Sequence, residues 1–451
     1  MMNKLTMDTA YHSSGRARCS RDAHQCPSYA ALLLVTFSIV CIMDARPANA
    51  CVGDCDGDGV VRVDELLLGV DVALTREQAT ICPAFDPDRN GIVTIAELVA
   101  GVNSALGGCM PREREAFVVT TDFRRGSFAT VTLDEPHMVS PANRDRRIYQ
   151  DAVARGFGGL VYLVNRFNAD NIQALDPTRD FVTTMQCSVG NGANPHDIAF
   201  ASATKAYVTR FNEKELYIVD PSVGFDCDRS LLGSIDLSPW ADADGFPEMD
   251  QMALIGDRLY VSLQRLDRSN FLRPAETGAI VVIDTLTDTV IEEIPLTGEN
   301  PFAQTKGLVV RDGAIIISES GSFGVNDGGI ERVDLASGEA EGFFITEAEL
   351  GGDLTDFALV SDSLGYAVIS LPNFDNSLVR FDPSRGTLID TVLSGGVLIS
   401  DIELNDRGEL WAADRTATRH GLRIFRAGDG IELTAEPLYL VLPPFDILFL
   451  E

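Results

Sequence analysis

Two twelve-residue stretches, DCDGDGVVRVDE at 54–65 and DPDRNGIVTIAE at 86–97, set oxygen-bearing side chains at alternate positions around a central glycine. Ca²⁺ takes about six to eight oxygens, and a loop with ligands at positions 1, 3, 5, 7, 9 and 12 and glycine at 6 supplies them. The first stretch offers Asp54, Asp56, Asp58, the Val60 carbonyl and a closing Glu65, with Gly59 at the turn. Arg62 stands at the ninth position, so a water must serve there. The second offers Asp86, Asp88, Asn90, the Ile92 carbonyl, Thr94 and Glu97, with Gly91 at the turn. A single match could be an acidic turn without metal. Two matches in register, each followed by a helical apolar pattern, point to two bound Ca²⁺ ions.

The elements that hold these loops are read from periodicity. Leu66, Val70 and Leu74 follow the first loop and Leu98, Val102 and Leu106 the second, at the spacing of one helix face. Val61 and Val93, at the eighth positions, are where paired loops meet. A loop plus its exiting helix, duplicated, resembles a dockerin, a relative of the EF-hand pair, over about 51–109. That resemblance implies the calcium positions one by one. Dockerins that plug into cohesins carry small hydroxyl residues at loop positions 10 and 11, where this chain has Val63 with Asp64 and Ile95 with Ala96. A cohesin partner is therefore not expected, whereas calcium is.

The N-terminal stretch has Lys4, Arg16, Arg18 and Arg21, an apolar run from about Tyr29 to Met43, and Ala48-Asn49-Ala50, the pattern of a cleaved secretory signal over 1–50. The alternatives are a retained anchor helix, or a lipid anchor on Cys51. Without 1–50 the chain is more acidic than its formal net charge of −31. Such a surface repels nucleic acid and anionic membranes. Cys51, Cys55, Cys82 and Cys109 lie in a module too small for a large core, which oxidising compartments commonly staple. Of the pairings, Cys82–Cys109 is favoured because it brackets the second loop and helix. Cys187 and Cys227 are candidates for another bridge.

From 116 onward short β-rich runs recur between Gly, Asp and Pro turns. An acidic or basic residue enters an apolar strand at Asp151, Asp197, Asp250, Lys306, Asp356, Asp401 and Asp446. A second strand follows each, as in LVYLVN (160–165), AYVTRF (206–211) and ELWAAD (409–414). A third ends in Asp, as in IQALDP (172–177) and LVRFDP (378–383). Four strands per unit, seven times, make a seven-bladed β-propeller. The domain opens on a second strand at 117–122 and ends on a first strand at 445–450, so its two ends should complete one blade and seal the ring. AYVTR and IVVIDTLTDTVIEEIPL resemble the YVTN-type propellers of secreted bacterial proteins, over about 116–451. That resemblance implies a fold and no particular reaction. The expected organisation is thus a signal over 1–50, the calcium module over 51–110, a linker over 111–115 and a mainly β propeller over 116–451.

In such a ring the seven strand-entry residues face one axial mouth, joined by Arg166, Arg210, Arg265 and Arg415 after second strands, and by His196. This set could hold a cation or a polar ligand; equally, aspartates at strand entry accept backbone N–H bonds and fix turns. Asp176, Asp220, Asp284, Asp334 and Asp382 are expected as turn formers on the opposite face. No G-x-S-x-G, H-E-x-x-H or phosphate loop is present in the propeller sequence. The leading expectation is an exported calcium-binding protein whose propeller binds a protein or glycan without catalysis. The rivals are a propeller enzyme of lactonase, lyase or glycoside-processing type and an anchored structural protein.

Overall fold

A computed structural model describes residues 52–55, 61–75, 81–86, 93–107, 114–141 and 143–450. The expected leader, Cys51, Cys109 and the loop ligands Asp56, Asp58, Val60, Asp88, Asn90 and Ile92 lie outside the described residues. The chain divides into two compact units, 1–111 and 112–451.

In the small unit, α1 (Val63–Thr75) and α2 (Ile95–Gly107) each begin within the last residues of the acidic stretches 54–65 and 86–97. Phe85, from a single 3₁₀ turn at Pro83–Phe85, is fully buried with Val72, Cys82 and Val93. Gly69 of α1 and Gly101 of α2 make room for its ring. A Cβ added at either would stand 2.6 Å or 2.4 Å from a ring carbon. The buried face therefore centres on these glycines and not on the expected stripe. Leu66 and Leu98 are partly buried against the cluster, but Val70, Leu74 and Val102 are exposed. The expected Cys82–Cys109 bridge is corrected: Cys82 is bonded to Cys55. This link ties the first loop to the turn that carries Phe85, so it fixes the wedge between the helices.

The large unit is a propeller of seven blade sheets, with a further two-stranded sheet, Leu266–Asp267 with Arg273–Pro274, in a loop of blade four. Blade one joins Pro444–Phe449, Glu115–Thr121, Gly126–Thr132 and Arg146–Ile148, in that order. Within it the last strand of the chain pairs antiparallel with the first strand of the domain, Val118 opposite Ile447. Blades two to six run inside to outside, each from its own four strands, starting at Ala152, Pro195, Met249, Val309 and Asp353. Blade seven has three, Ile399–Leu404, Glu409–Asp414 and Gly421–Arg426; a segment bridged at Leu422–Leu438 and Phe425–Glu432 lies where a fourth would be. Apolar clusters fill the spaces between neighbouring blades. One joins Phe117 and Phe445 of blade one to Val161 and Leu163 of blade two. Cys187 and Cys227 are disulfide-bonded, linking outer parts of blades two and three.

Candidate functional site

The inner strands place the strand-entry residues. Asp197, Asp250, Asp356, Asp401 and Asp446 sit within these strands, all buried, most of them where the pairing register slips. The slip turns the carboxylate sideways, toward the next blade. Asp197 accepts the Met252 N–H at 2.8 Å, Asp356 the Ile402 N–H at 2.7 Å, Asp401 the Ile447 N–H at 2.8 Å and Asp446 the Ala154 N–H at 2.6 Å. These aspartates are therefore cross-blade acceptors, not residues of the preceding turn. Asp151, just before its strand, instead pairs with Arg166 at 2.6 Å. Asp250 accepts from His196 Nδ1 at 2.7 Å and from the Gln264 amide at 2.8 Å.

Lys306 departs from its expected place. The inner strand of blade five is short, Val309–Arg311, and Lys306 precedes it. The segment 304–308 crosses the channel. The Gln304 carbonyl accepts from Arg166 of blade two at 3.0 Å, Thr305 Oγ1 donates to Asp401 of blade seven at 2.8 Å, and Leu308 N–H donates to the Met252 carbonyl of blade four at 3.2 Å. Lys306 Nζ lies 3.0 Å from Asp356, 3.4 Å from Glu403 and 3.9 Å from Asp401, and donates to the Ile402 carbonyl. Arg155, half-buried, is the second cation of this cluster, 2.7 Å from Asp197.

Two cations thus face the carboxylates of Asp197, Asp356, Asp401, Glu403 and Asp446. Burial, reinforced by the Asp401 charge, pushes Asp356 and Asp446 up to about 7. Burial pushes Glu403 up to about 8, with Lys306 opposing. Lys306 loses hydration on burial, yet Asp356, Glu403 and Asp401 more than offset this and hold its ammonium charged. Beyond this plug the later halves of the inner strands of blades five to seven line a pocket of about 400 Å³, with Lys306, Arg311, Phe357 and Glu403 in its wall.

His196 is half-buried at the mouth. Its Nδ1 faces Asp250, its Nε2 lies 3.1 Å from the Asn194 amide nitrogen, and its ring stacks on Phe211 at 4.5 Å. Both ring nitrogens are thus engaged, with Nδ1 donating. Arg210 lies away from the channel cluster: it donates to the Val189 carbonyl and packs over Tyr217 at 3.6 Å. Arg265 pairs with Glu293, and Arg415 donates to the Pro444 and Thr121 carbonyls. On the far face Asp176, Asp220, Asp284, Asp334 and Asp382 each accept a backbone N–H two or three residues on, as expected of turn formers.

The mouth face carries a feature that strand-entry residues did not reveal. The loops after second strands lie on this face, because the start of each inner strand pairs with the end of the second, as Ala152 with Asn165. Five of these loops present a phenylalanine to solvent: Phe123, Phe167, Phe271, Phe323 and Phe374, between 49% and 95% exposed. Phe323 and Phe374, from neighbouring blades, stack with centroids 6.4 Å apart. The signal was available, since each residue falls between a second strand and a third.

In the small unit, Glu65 accepts from the Cys55 and Arg62 N–H groups, each at 2.8 Å. Glu97 Oε2 accepts from the Thr94 N–H at 2.7 Å and from the Thr94 hydroxyl at 2.8 Å. Glu97 Oε1 is buried without a hydrogen-bond partner. Both closing glutamates are thus fixed at helix starts, with carboxylates turned back toward their loops.

No family model matches this chain, and no curated protein matches it. Solved structures do. A putative 6-phosphogluconolactonase from Bacteroides fragilis NCTC 9343 is similar at 14% identity and TM-score 0.53, covering 75% of this chain and 99% of that one. A functionally unknown protein from Desulfotomaculum acetoxidans DSM 771 is similar at 13% identity and TM-score 0.47, covering 74% and 98%. AztD from Citrobacter koseri is similar at 11% identity and TM-score 0.44, covering 74% and 96%. At such identities the first likeness shows the propeller fold alone.

Proposed function

We propose that this is an exported, calcium-binding protein whose propeller is a non-catalytic platform for a protein or glycan, held on the mouth face. The carrying observation is the set of exposed phenylalanines on the loops of that face. Exposed aromatics brought together on one surface mark interaction sites, since their large apolar faces gain most from being covered. The mouth's buried charges support the same reading. They are engaged in joining blades and in holding the 304–308 segment, which leaves the loops to meet a partner. The pairing of the last strand with Glu115–Thr121 supports a ring sealed by its own termini.

Calcium belongs to the small unit. Asp54, Glu65, Asp86, Thr94 and Glu97 lie among the described residues, and the partnerless Glu97 Oε1 fits an oxygen kept for a cation. When bound, Ca²⁺ would neutralise these carboxylates and fix the loops. The two disulfides among the described residues fit an oxidising compartment. Among the described residues no helix is long and apolar enough to cross a membrane. A lactonase reading, suggested by one neighbour's name, finds its best observation in the His196–Asp250 pair.

Two experiments test the proposal. Calorimetry on the full chain should give two Ca²⁺ sites, with Asp54→Ala losing one; no heat at millimolar Ca²⁺ would remove the calcium reading. A panel of immobilised polysaccharides and peptides should contain a ligand that Phe323→Ser/Phe374→Ser binds at least about 10-fold more weakly, with an unchanged thermal melt. Equal binding by the variant to every ligand found would remove the platform.

A further inference from the structure

The face opposite the mouth carries a second cluster. The loop after Gly126–Thr132 of blade one brings Glu135 and His137 to Glu409, the first residue of Glu409–Asp414 in blade seven. One ligand atom from each of the three lies within 4.8 Å of the others. His137 has only 7% of its side chain exposed, and its Nε2 is buried without a hydrogen-bond partner. That nitrogen faces Glu409 Oε1 at 3.6 Å. The separation is too long for an N–H···O hydrogen bond, which wants about 2.7–3.2 Å. It is close to the ~3.4 Å expected between two ligands that each stand ~2.1 Å from one tetrahedral ion.

The groups behind these atoms are placed as a metal's supporting shell. His137 Nδ1 lies 3.1 Å from the Thr132 carbonyl; donating there leaves the Nε2 lone pair directed at Glu409. The other oxygen of Glu409, Oε2, is held by Trp411 Nε1 at 3.0 Å and by the Asn405 amide at 2.6 Å. The imidazole edge is fixed by the fully buried Trp411 ring, 5.2 Å away and nearly perpendicular. The nearby Arg407 is engaged elsewhere, with Asp134 at 2.7 Å and the Leu133 carbonyl. A histidine whose second nitrogen is hydrogen-bonded to a carbonyl, beside a carboxylate whose second oxygen is also held, is the usual surround of a bound metal.

We infer that His137, Glu409 and Glu135 form a site for one divalent transition-metal ion of the zinc class, tying blade one to blade seven. The imidazole selects such an ion over Ca²⁺ or Mg²⁺, which prefer oxygen alone. Three protein ligands leave a fourth position for water, on the side of the exposed Glu135. The site differs in ligands, ion and unit from the calcium loops.

The test uses the full chain, stripped with chelator and then saturated with Ca²⁺ to fill the acidic loops. Zn²⁺ is titrated against a chromogenic chelator, and Co²⁺ is added separately to read its visible ligand-field bands. The wild type should take one Zn²⁺ that raises the melting temperature. His137→Gln should weaken it by at least about 100-fold, the upper range for loss of a mere supporting group. Glu135→Gln, at an exposed position where folding is not at stake, should weaken it at least about 10-fold and alter the Co²⁺ spectrum. No Zn²⁺ uptake by the wild type overturns the site. So does uptake that both variants retain at wild-type affinity, because the zinc would then be held elsewhere.

Discussion

Lys306 shows how one residue serves the channel. Its ammonium is the counterion of Asp356, Asp401 and Glu403, and its backbone belongs to the segment that spans the axis. Replacing it by methionine would leave buried carboxylates without their cation, a change worth about 3–5 kcal/mol. The sign of the pH dependence follows from the raised values near 7 for Asp356 and 8 for Glu403. The folded chain keeps protons there that the unfolded chain releases at about pH 4, so this contribution is fullest below that and is lost as pH rises through 7–8. Without the ammonium the loss steepens. Urea melts should therefore show a Lys306→Met deficit that is larger at pH 8 than at pH 5. A deficit equal at both would mean that the carboxylates do not depend on Lys306.

Among the elements, blade one carries the clearest test. Its inner strand, Pro444–Phe449, is the end of the chain, and it both pairs with Glu115–Thr121 and sends Asp446 to blade two. Deleting 444–451 would uncover a strand edge and an apolar cluster containing Phe445. A protease-sensitive product with a lowered melting temperature is expected; an unchanged melt would show that the pairing contributes nothing. The pairing of these two strands was legible from repeats, because a strand pattern missing at one end reappeared at the other; the outer strand, Arg146–Ile148, was not. Other elements were not. The inner strand of blade five begins at Val309, since 304–308 is drawn across the axis by partners in four other blades. The sideways turn of the inner-strand aspartates depends on register slips, which apolar alternation does not record. The small helices bury Gly69 and Gly101 around Phe85, so of the expected apolar stripe Leu66 and Leu98 reach the cluster while Val70, Leu74 and Val102 do not. Cysteine spacing favoured Cys82–Cys109 for the loop it would enclose, while the fold brings Cys55 to Cys82 through the turn at Pro83–Phe85.

For the molecule as a whole, two kinds of surface result from one architecture. One face of the propeller ends in tight turns fixed by Asp176, Asp220, Asp284, Asp334 and Asp382. The other bears loops with outward phenylalanines around a mouth whose charged groups already hold one another and the neighbouring backbone. The strongly acidic composition makes small cations favourable company and nucleic acid unfavourable. On the function proposed above, the phenylalanine-bearing face is the working surface. Hydrogen-exchange footprinting of the full chain, with and without the tightest polysaccharide or peptide from the binding panel, tests this most directly. Protection is expected in the loops 122–125, 166–170, 268–272, 321–327 and 371–375. Protection confined to the turns of the opposite face, with these loops unchanged, would contradict it.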